Sequence, residues 1–216
     1  PASITHQPGT PSLVRVLPDG SVAPLHETTP DGEGFGAPND LIVGPDGVIW
    51  FTDPPPLHRM SGDGPGGRVW ERSVTGALRV VADGFDFCNG IALSPEGGLL
   101  IVEGSGLMWV DPESGLSDWF VEQVPNGRAG DGFAFDVEGN LFVCCPADHH
   151  VVVLDEDGAL IETIPLGDDA VPTNCCFGGD DLRTLFVTEL APGRVSAIEG
   201  LPSPGLALTP WPVPSD

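Results

Sequence analysis

The chain has 216 residues, 32 of them acidic and 8 basic, so its formal charge at pH 7 is −24. A surface this acidic repels phosphate backbones and anionic lipid headgroups, which argues against nucleic acid or a membrane as a partner. No run approaches the roughly 20 apolar residues that a membrane-spanning helix needs. The chain has 5 Cys and no signal-like segment, and this predicts a reduced, cytoplasmic protein.

Four segments repeat one pattern, in which a polar residue precedes an apolar strand, an acidic turn and a second apolar strand. In chain order they are NDLIVGPDGVIWFTD (39–53), NGIALSPEGGLLIVE (89–103), DGFAFDVEGNLFVCC (131–145) and NCCFGGDDLRTLFVTE (174–189). Their first residues are 50, 42 and 43 positions apart. A period of ~40–50 residues made of short strands is typical of a β-propeller, in which each repeat forms one four-stranded blade.

Further hairpins with weaker signals are predicted beside these repeats, at 12–25, 68–82, 107–121, 150–164 and 194–208. Asp19-Gly20 and Asp157-Gly158 separate alternating apolar runs, which is a strong hairpin signal. Loops 27–38 and 54–67 are rich in Gly and Pro and are predicted to be irregular. Together the hairpins predict an all-β propeller, with about four and a half blades, in a single domain spanning residues 1–216.

In each repeat the start of the first strand and the end of the second lie at the same end of the hairpin. Because the innermost strands of a propeller line its central channel, the polar residues at these positions are expected to meet at one channel mouth. They are Asn39, Asp53, Asn89, Glu103, Asp131, Asn174 and Glu189. The alternative interpretation is that such Asn and Asp side chains only satisfy backbone groups where strands begin.

Carboxylate and amide oxygens without His or thiolate suit a hard cation such as Ca²⁺. Such an ion polarises a carbonyl group, while a neighbouring carboxylate positions or deprotonates water. The adjacent pairs Cys144-Cys145 and Cys175-Cys176 are poor zinc ligands, because neighbouring residues of a strand point to opposite faces. The sequence therefore predicts an oxygen-lined cation site.

The ordered motifs PND (38–40), NG (89–90), DG (131–132) and CCFGG (175–179) resemble the family of gluconolactonases, luciferin-regenerating enzymes and senescence marker protein. The resemblance covers residues 12–208 and implies a six-bladed propeller that hydrolyses lactones or related esters. It also implies one catalytic divalent cation, usually Ca²⁺, with Zn²⁺, Mg²⁺ and Mn²⁺ as alternatives.

By the same resemblance, Asn89 and Asp131 match metal ligands, and Asp131 also matches the residue that activates water. Asn39 matches an amide that contacts metal or substrate. Asn174 and Asp53 are assigned to substrate binding on the geometric argument alone. The predicted partner is a small-molecule lactone or ester.

The sequence departs from the family pattern at two places. The family's further metal-ligating Glu lies in an N-terminal EGP-type motif that has no counterpart here, since Glu33 in DGEGFG does not match it. The chain is therefore expected to lack the first blade and a half of the family's ring. Sugar lactonases often carry Arg two residues before the PND-type Asn, and Ala37 at that position weakens the case for an aldonolactone substrate.

The leading hypothesis is a metal-dependent lactonase in which Asp131 activates water. One alternative is a non-catalytic propeller fragment that serves as a binding scaffold with an incomplete metal site. A second alternative keeps the hydrolase but changes the substrate to an aryl ester or a phosphotriester.

Overall fold

The structure is a computed structural model that describes residues 2–4, 10–56 and 66–211. Within these ranges the regular structure is β-strand, apart from one 3-10 turn at Pro146–Asp148. Most of the predicted loop 54–67 lies outside the described residues. No helix in the described part of the chain is long and apolar enough to cross a bilayer.

The described strands form five sheets. The first sheet contains β1 (Ala2–Ile4), β2 (Leu13–Val16) and β3 (Val22–His26). The second contains β4 (Leu41–Val43), β5 (Ile49–Asp53), β6 (Gly67–Arg72) and β7 (Leu78–Phe85). The third contains β8 (Cys88–Leu93), β9 (Leu99–Glu103), β10 (Gly106–Val110) and β11 (Ser117–Val121). The fourth contains β12 (Phe133–Phe135), β13 (Leu141–Cys145), β14 (His150–Leu154) and β15 (Leu160–Pro165). The fifth contains β16 (Pro172–Gly178), β17 (Thr184–Glu189) and β18 (Arg194–Ile198).

In every sheet each strand pairs antiparallel with the next strand of the chain, which is the topology of a propeller blade. The four repeated segments form the first hairpins of the second to fifth sheets, as the sequence predicted. Strands β5, β9 and β17 end at Asp53, Glu103 and Glu189. The predicted all-β blade architecture is therefore confirmed.

The acidic residues of the hairpin turns shape the backbone. In the turn between β4 and β5, the Asp46 carboxylate accepts a hydrogen bond from the Val48 N–H at 3.1 Å. Gly47 follows with φ of 84°, a conformation that a side chain disfavours. Asp181 holds the corresponding turn between β16 and β17 by accepting from the Arg183 N–H at 3.1 Å.

Four of the five predicted outer hairpins form, but the one at 194–208 does not. Only β18 is made there, because Pro202 and Pro204 have no N–H to donate to a following strand. Gly205 instead bridges Asp136, which lies directly after β12. Strand β1, which pairs with β2, was not predicted.

The chain divides into two compact units. The first contains the described residues up to Cys88, together with Pro112–Gly115 and the segment from Leu208 onward. Its core packs Leu13, Phe35, Phe51 and Trp70. The Phe35 ring lies edge-on to both Phe51 and Trp70, with 5.8 Å between ring centroids in each case.

The second unit contains Asn89–Asp111 and Leu116–Ala207. One hydrophobic cluster joins its third and fourth sheets and includes Val102, Leu141 and Cys145. Another joins the fourth and fifth sheets and includes Cys144 and Cys175. Cys144 and Cys145 therefore point to opposite faces of β13, as expected for adjacent strand residues.

Candidate active site

Three of the repeated polar residues lie where inner strands of the second unit begin. Asn89 is the second residue of β8 and is buried, with 7% of its surface exposed. Asp131 precedes β12 and Asn174 lies near the start of β16, and both are half-buried. The carboxylate-bearing residue of this set therefore keeps contact with solvent.

Two glycines allow these strand starts to approach closely. A β-carbon on Gly90 would collide with the Asp131 carbonyl oxygen and would lie 2.8 Å from the Gly132 Cα. A β-carbon on Gly132 would collide with the Asn174 side chain and would lie 2.8 Å from its Cα. The structure thus places the strand starts that carry Asn89, Asp131 and Asn174 next to one another in three neighbouring sheets. We call these three residues the polar row.

Backbone hydrogen bonds fix the centre of the polar row. The Asp131 N–H donates to the Cys144 carbonyl at 2.9 Å, and the Cys144 N–H donates to the Gly132 carbonyl at 3.0 Å. The Gly132 N–H donates to the Thr173 carbonyl at 2.7 Å, which links the fourth and fifth sheets. The position of Asp131 is therefore set by both its own blade and the next one.

Asn174 has a local backbone role as well. Its N–H donates to the Thr188 hydroxyl at 3.0 Å, and its side-chain oxygen accepts from the Cys175 N–H at 2.8 Å. This is the function that the alternative interpretation assigned to strand-start amides. Binding of substrate by Asn174 stays a prediction.

Glu103 and Glu189 end the second strands of their hairpins and are buried, with 8% and 4% of their surfaces exposed. A single carboxylate oxygen of Glu189, Oε1, accepts two hydrogen bonds. One comes from the Arg194 guanidinium at 3.0 Å and the other from the Ser196 hydroxyl. Burial alone would raise the pKa of Glu189, but these bonds and the Arg194 charge hold it below its ordinary value. Glu189 is therefore a carboxylate in an intramolecular ion pair.

Asn39 and Asp53 belong to the first unit. Asn39 is half-buried, and its N–H donates to the Thr52 carbonyl at 2.9 Å. Asp53 is 5% exposed and accepts hydrogen bonds from the Gly36 N–H at 3.1 Å, the Ala37 N–H at 2.7 Å and the Trp70 indole at 3.2 Å. Its carboxylate thus fastens the loop that leads into Asn39.

Burial raises the pKa of Asp53, although its hydrogen bonds and the nearby Arg68 act in the opposite direction. A direct contact between Asp53 and substrate stays a prediction from the sequence. The contacts seen in the first unit are those of a structural carboxylate.

The chemistry of the polar row fits a hard divalent cation, because it offers one carboxylate and two amide side chains. Within the described residues, no group of three or more His, Cys, Asp or Glu side chains is placed to hold a metal ion. Ca²⁺ takes roughly six to eight oxygen ligands.

Sequence reasoning missed the residues that frame the site. Gly90 and Gly132 directly follow a polar residue at the same point of two repeats, and this shared spacing was the available signal. The contact of Trp70 with Asp53 joins residues 17 positions apart, and no local pattern indicated it.

Comparison with known proteins identifies the family of this chain. Residues 9–191 match the family described as SMP-30/Gluconolactonase/LRE-like region. The chain is 28% identical over 204 residues to a gluconolactonase from Zymomonas mobilis, a match that covers 83% of this chain and 55% of that protein. The chain thus spans about half the length of this curated relative.

Solved structures give the same result. A gluconolactonase from Xanthomonas campestris superposes with a TM-score of 0.69 at 31% identity, covering 82% of this chain and 62% of that one. A regucalcin from Agrobacterium tumefaciens, described as a calcium-binding protein, gives a TM-score of 0.59 at 23% identity and covers 70% of this chain and 52% of that one. The latter likeness is evidence of a shared fold. Since the family match takes in residues 9–191 and the blades recur in solved relatives, the chain belongs to the SMP-30/gluconolactonase/LRE-like family of β-propellers.

Proposed function

We propose that this chain carries the hydrolytic centre of a lactonase, with Asp131 as the residue that activates water. The observation that supports the proposal is the polar row, in which the strand start of the half-buried Asp131 lies between the strand starts of Asn89 and Asn174. The names of the gluconolactonase relatives from Zymomonas and Xanthomonas support a lactone as the class of substrate.

In the proposed reaction, Asp131 accepts a proton from a water molecule as that water attacks the lactone carbonyl carbon. The ring C–O bond then breaks, and the proton passes to the departing alkoxide oxygen. The product is an open-chain hydroxy acid. Asn89 and Asn174 orient the reacting groups through their amide side chains, and both lie in the same unit as Asp131.

A bound divalent cation, with Ca²⁺ as first candidate and Zn²⁺, Mg²⁺ or Mn²⁺ as alternatives, supplies positive charge that polarises the carbonyl group. The calcium-binding description of the regucalcin relative supports this choice. Asp131 and Asn89 are its proposed ligands. The assignments of Asn39 to metal or substrate and of Asp53 to substrate rest on the sequence.

The test uses the purified chain and a panel of lactones that includes an aldonolactone and simple alkyl lactones, with added Ca²⁺ or with a chelator. We expect hydrolysis that requires the cation, and a loss of at least about 100-fold in kcat/KM for Asp131→Asn, because general-base catalysis contributes on that order. Asp180→Asn is the matched control, since Asp180 is an exposed carboxylate in the turn between β16 and β17.

Two results would contradict the proposal. One is full activity in Asp131→Asn. The other is a folded chain that hydrolyses no lactone of the panel at any cation concentration, which would favour the binding-scaffold hypothesis. Hydrolysis of aryl esters or phosphotriesters alone would keep Asp131 as the centre but would replace the substrate class.

A further inference from the structure

A cavity of about 230 Å³ lies between the third and fourth sheets of the second unit. Its aromatic wall is formed by Trp109 of β10 and Phe120 of β11, whose rings meet edge-on with 5.6 Å between centroids. Phe135 and Leu141 of the fourth sheet form an apolar floor, and they are only 4% and 1% exposed. The interior is therefore suited to an apolar group.

The rim of this cavity is acidic. Glu96 comes from the turn between β8 and β9, and Glu156 and Asp157 come from the turn between β14 and β15. All three are exposed, and none of the described residues that line the cavity is basic. The entrance of the cavity is therefore negatively charged, and the aromatic rings lie further inside it.

Local contacts hold the rim in place before any ligand binds. The Ser94 hydroxyl donates to the Glu96 carboxylate at 3.1 Å. Asp155 accepts from the N–H groups of Asp157 and Ala159 at 3.0 and 2.8 Å, which closes the second turn. A β-carbon on Gly158 would lie 2.5 Å from a methyl carbon of Val121, so this turn rests directly on β11.

The cavity is separate from the polar row. It opens at the turn that follows β8, whereas Asn89 lies near the start of that strand. At roughly 3.3 Å per residue, the five positions from Asn89 to Ser94 correspond to roughly 17 Å. The two features occupy opposite ends of the same hairpin.

We propose that this cavity binds a small organic cation, namely a quaternary or primary ammonium group attached to a short apolar or aromatic body. The ammonium group lies against the Trp109 and Phe120 rings, where the negative face of an aromatic ring attracts a cation. The rim carboxylates add complementary charge and draw the ligand in. The apolar body fills the space above Phe135 and Leu141.

The test is a titration of the full chain with benzyltrimethylammonium, followed by NMR of the tryptophan indole N–H signals. We expect saturable binding with a Kd on the order of 1 mM, because a ligand of this size has limited affinity. The Trp109 signal shifts, whereas that of Trp119, which is 41% exposed and outside the cavity, stays unchanged. Benzyl alcohol and benzoate are the neutral and anionic controls and bind at least about fivefold more weakly.

Substitutions at the rim distinguish a specific binding site from the general attraction of a cation to an acidic protein. The pair Glu156→Gln and Asp157→Asn weakens binding by about three- to tenfold, since each exposed charge contributes modestly. The pair Asp180→Asn and Asp181→Asn removes the same charge from a turn that does not line the cavity and leaves the Kd within about twofold. These surface substitutions preserve the fold, whereas Trp109→Leu requires a check of its melting temperature.

Four results would overturn the proposal. Three come from the titrations: no saturable binding, equal binding of benzyl alcohol, and equal loss of affinity in the two charge-matched pairs. The fourth is retained binding in a folded Trp109→Leu variant.

Discussion

The carboxylate of Asp53 and the backbone N–H of Ala37 form a hydrogen bond of 2.7 Å that ties the end of β5 to the loop before Asn39. Gly36 packs at the same point, where a β-carbon would lie 2.6 Å from the Pro54 carbonyl oxygen. The loop therefore has one position relative to β5, and a buried acid maintains it.

The first prediction concerns this carboxylate. Asp53→Ala leaves the N–H groups of Gly36 and Ala37 and the Trp70 indole without their acceptor, and we expect a loss of about 1–3 kcal/mol in the free energy of unfolding. Urea denaturation measures it. Glu33→Gln, in the exposed part of the same loop, is the control and should change stability by less than about 0.5 kcal/mol. Equal stability of Asp53→Ala and the wild type would show that the three bonds contribute nothing.

The second prediction concerns Glu189 and pH. Because its folded-state pKa is held below the ordinary value of 4.5, its ion pair with Arg194 stabilises the fold above that pH and loses its effect as the pH falls through the folded-state pKa. Glu189→Gln should cost about 1–2 kcal/mol at pH 7. The difference from the wild type should shrink in acid.

Denaturation of both proteins across the acidic range, as far as both stay folded, provides the measurement. The exposed Glu199→Gln variant of the same sheet edge serves as the reference. A stability difference for Glu189→Gln that stays constant with pH would exclude the ion pair as its cause.

The third prediction concerns the glycines of the polar row. Gly132→Ala places a methyl group against the Asn174 side chain, so Asn174 must move or the fourth and fifth sheets must separate. We expect a loss of about 1–3 kcal/mol, as for other overpacked sites. Thermal melting measures it. Gly34→Ala is the control, because a β-carbon at Gly34 meets no atom within 4 Å. Unchanged melting of Gly132→Ala would show that these strand starts are not tightly packed.

The fourth prediction concerns the cysteines. Cys88, Cys144, Cys145 and Cys175 are buried, and Cys176 is exposed. Burial raises the pKa of Cys145 to about 12, which further suppresses its thiolate. Partial burial also raises the pKa of Cys176, but its exposed surface leaves this thiol accessible to a reagent. One thiol per folded chain should therefore react with a thiol reagent at alkaline pH, and Cys176→Ser should abolish that reaction. Several fast-reacting thiols in the folded wild type would contradict the described burial.

The hairpins could be predicted because their signal is local. Alternating apolar residues around Asp46-Gly47 or Asp157-Gly158 define both the strands and the turn, and the structure has both. The failed hairpin at 194–208 shows the limit of such patterns. Pro202 and Pro204 interrupt the ladder, and Gly205 finds its partner in another sheet.

The candidate site could be predicted only in part. The repeat spacing placed Asn89, Asp131 and Asn174 at equivalent strand starts, and in the structure those strand starts are neighbours within the second unit. A shared site for the three side chains stays a prediction. Spacing alone did not distinguish the half-buried carboxylate of Asp131 from the buried carboxylate of Asp53. The burial of Asp53 and the ion pair of Glu189 depend on Trp70 and Arg194, whose side chains approach only after the sheets have formed.

The glycine contacts at positions 90 and 132 determine which side chains of the polar row can be exchanged without disturbing the packing of the strand starts. At position 90 the close contact is with main-chain atoms of Asp131 and Gly132, so the side chain of residue 131 can change without altering that contact. At position 132 the contact includes the Asn174 side chain, which also accepts a hydrogen bond from the Cys175 N–H. A laboratory library that varies residues 89 and 131 and keeps Asn174 and both glycines would therefore sample new reactivities on the same packing of strand starts.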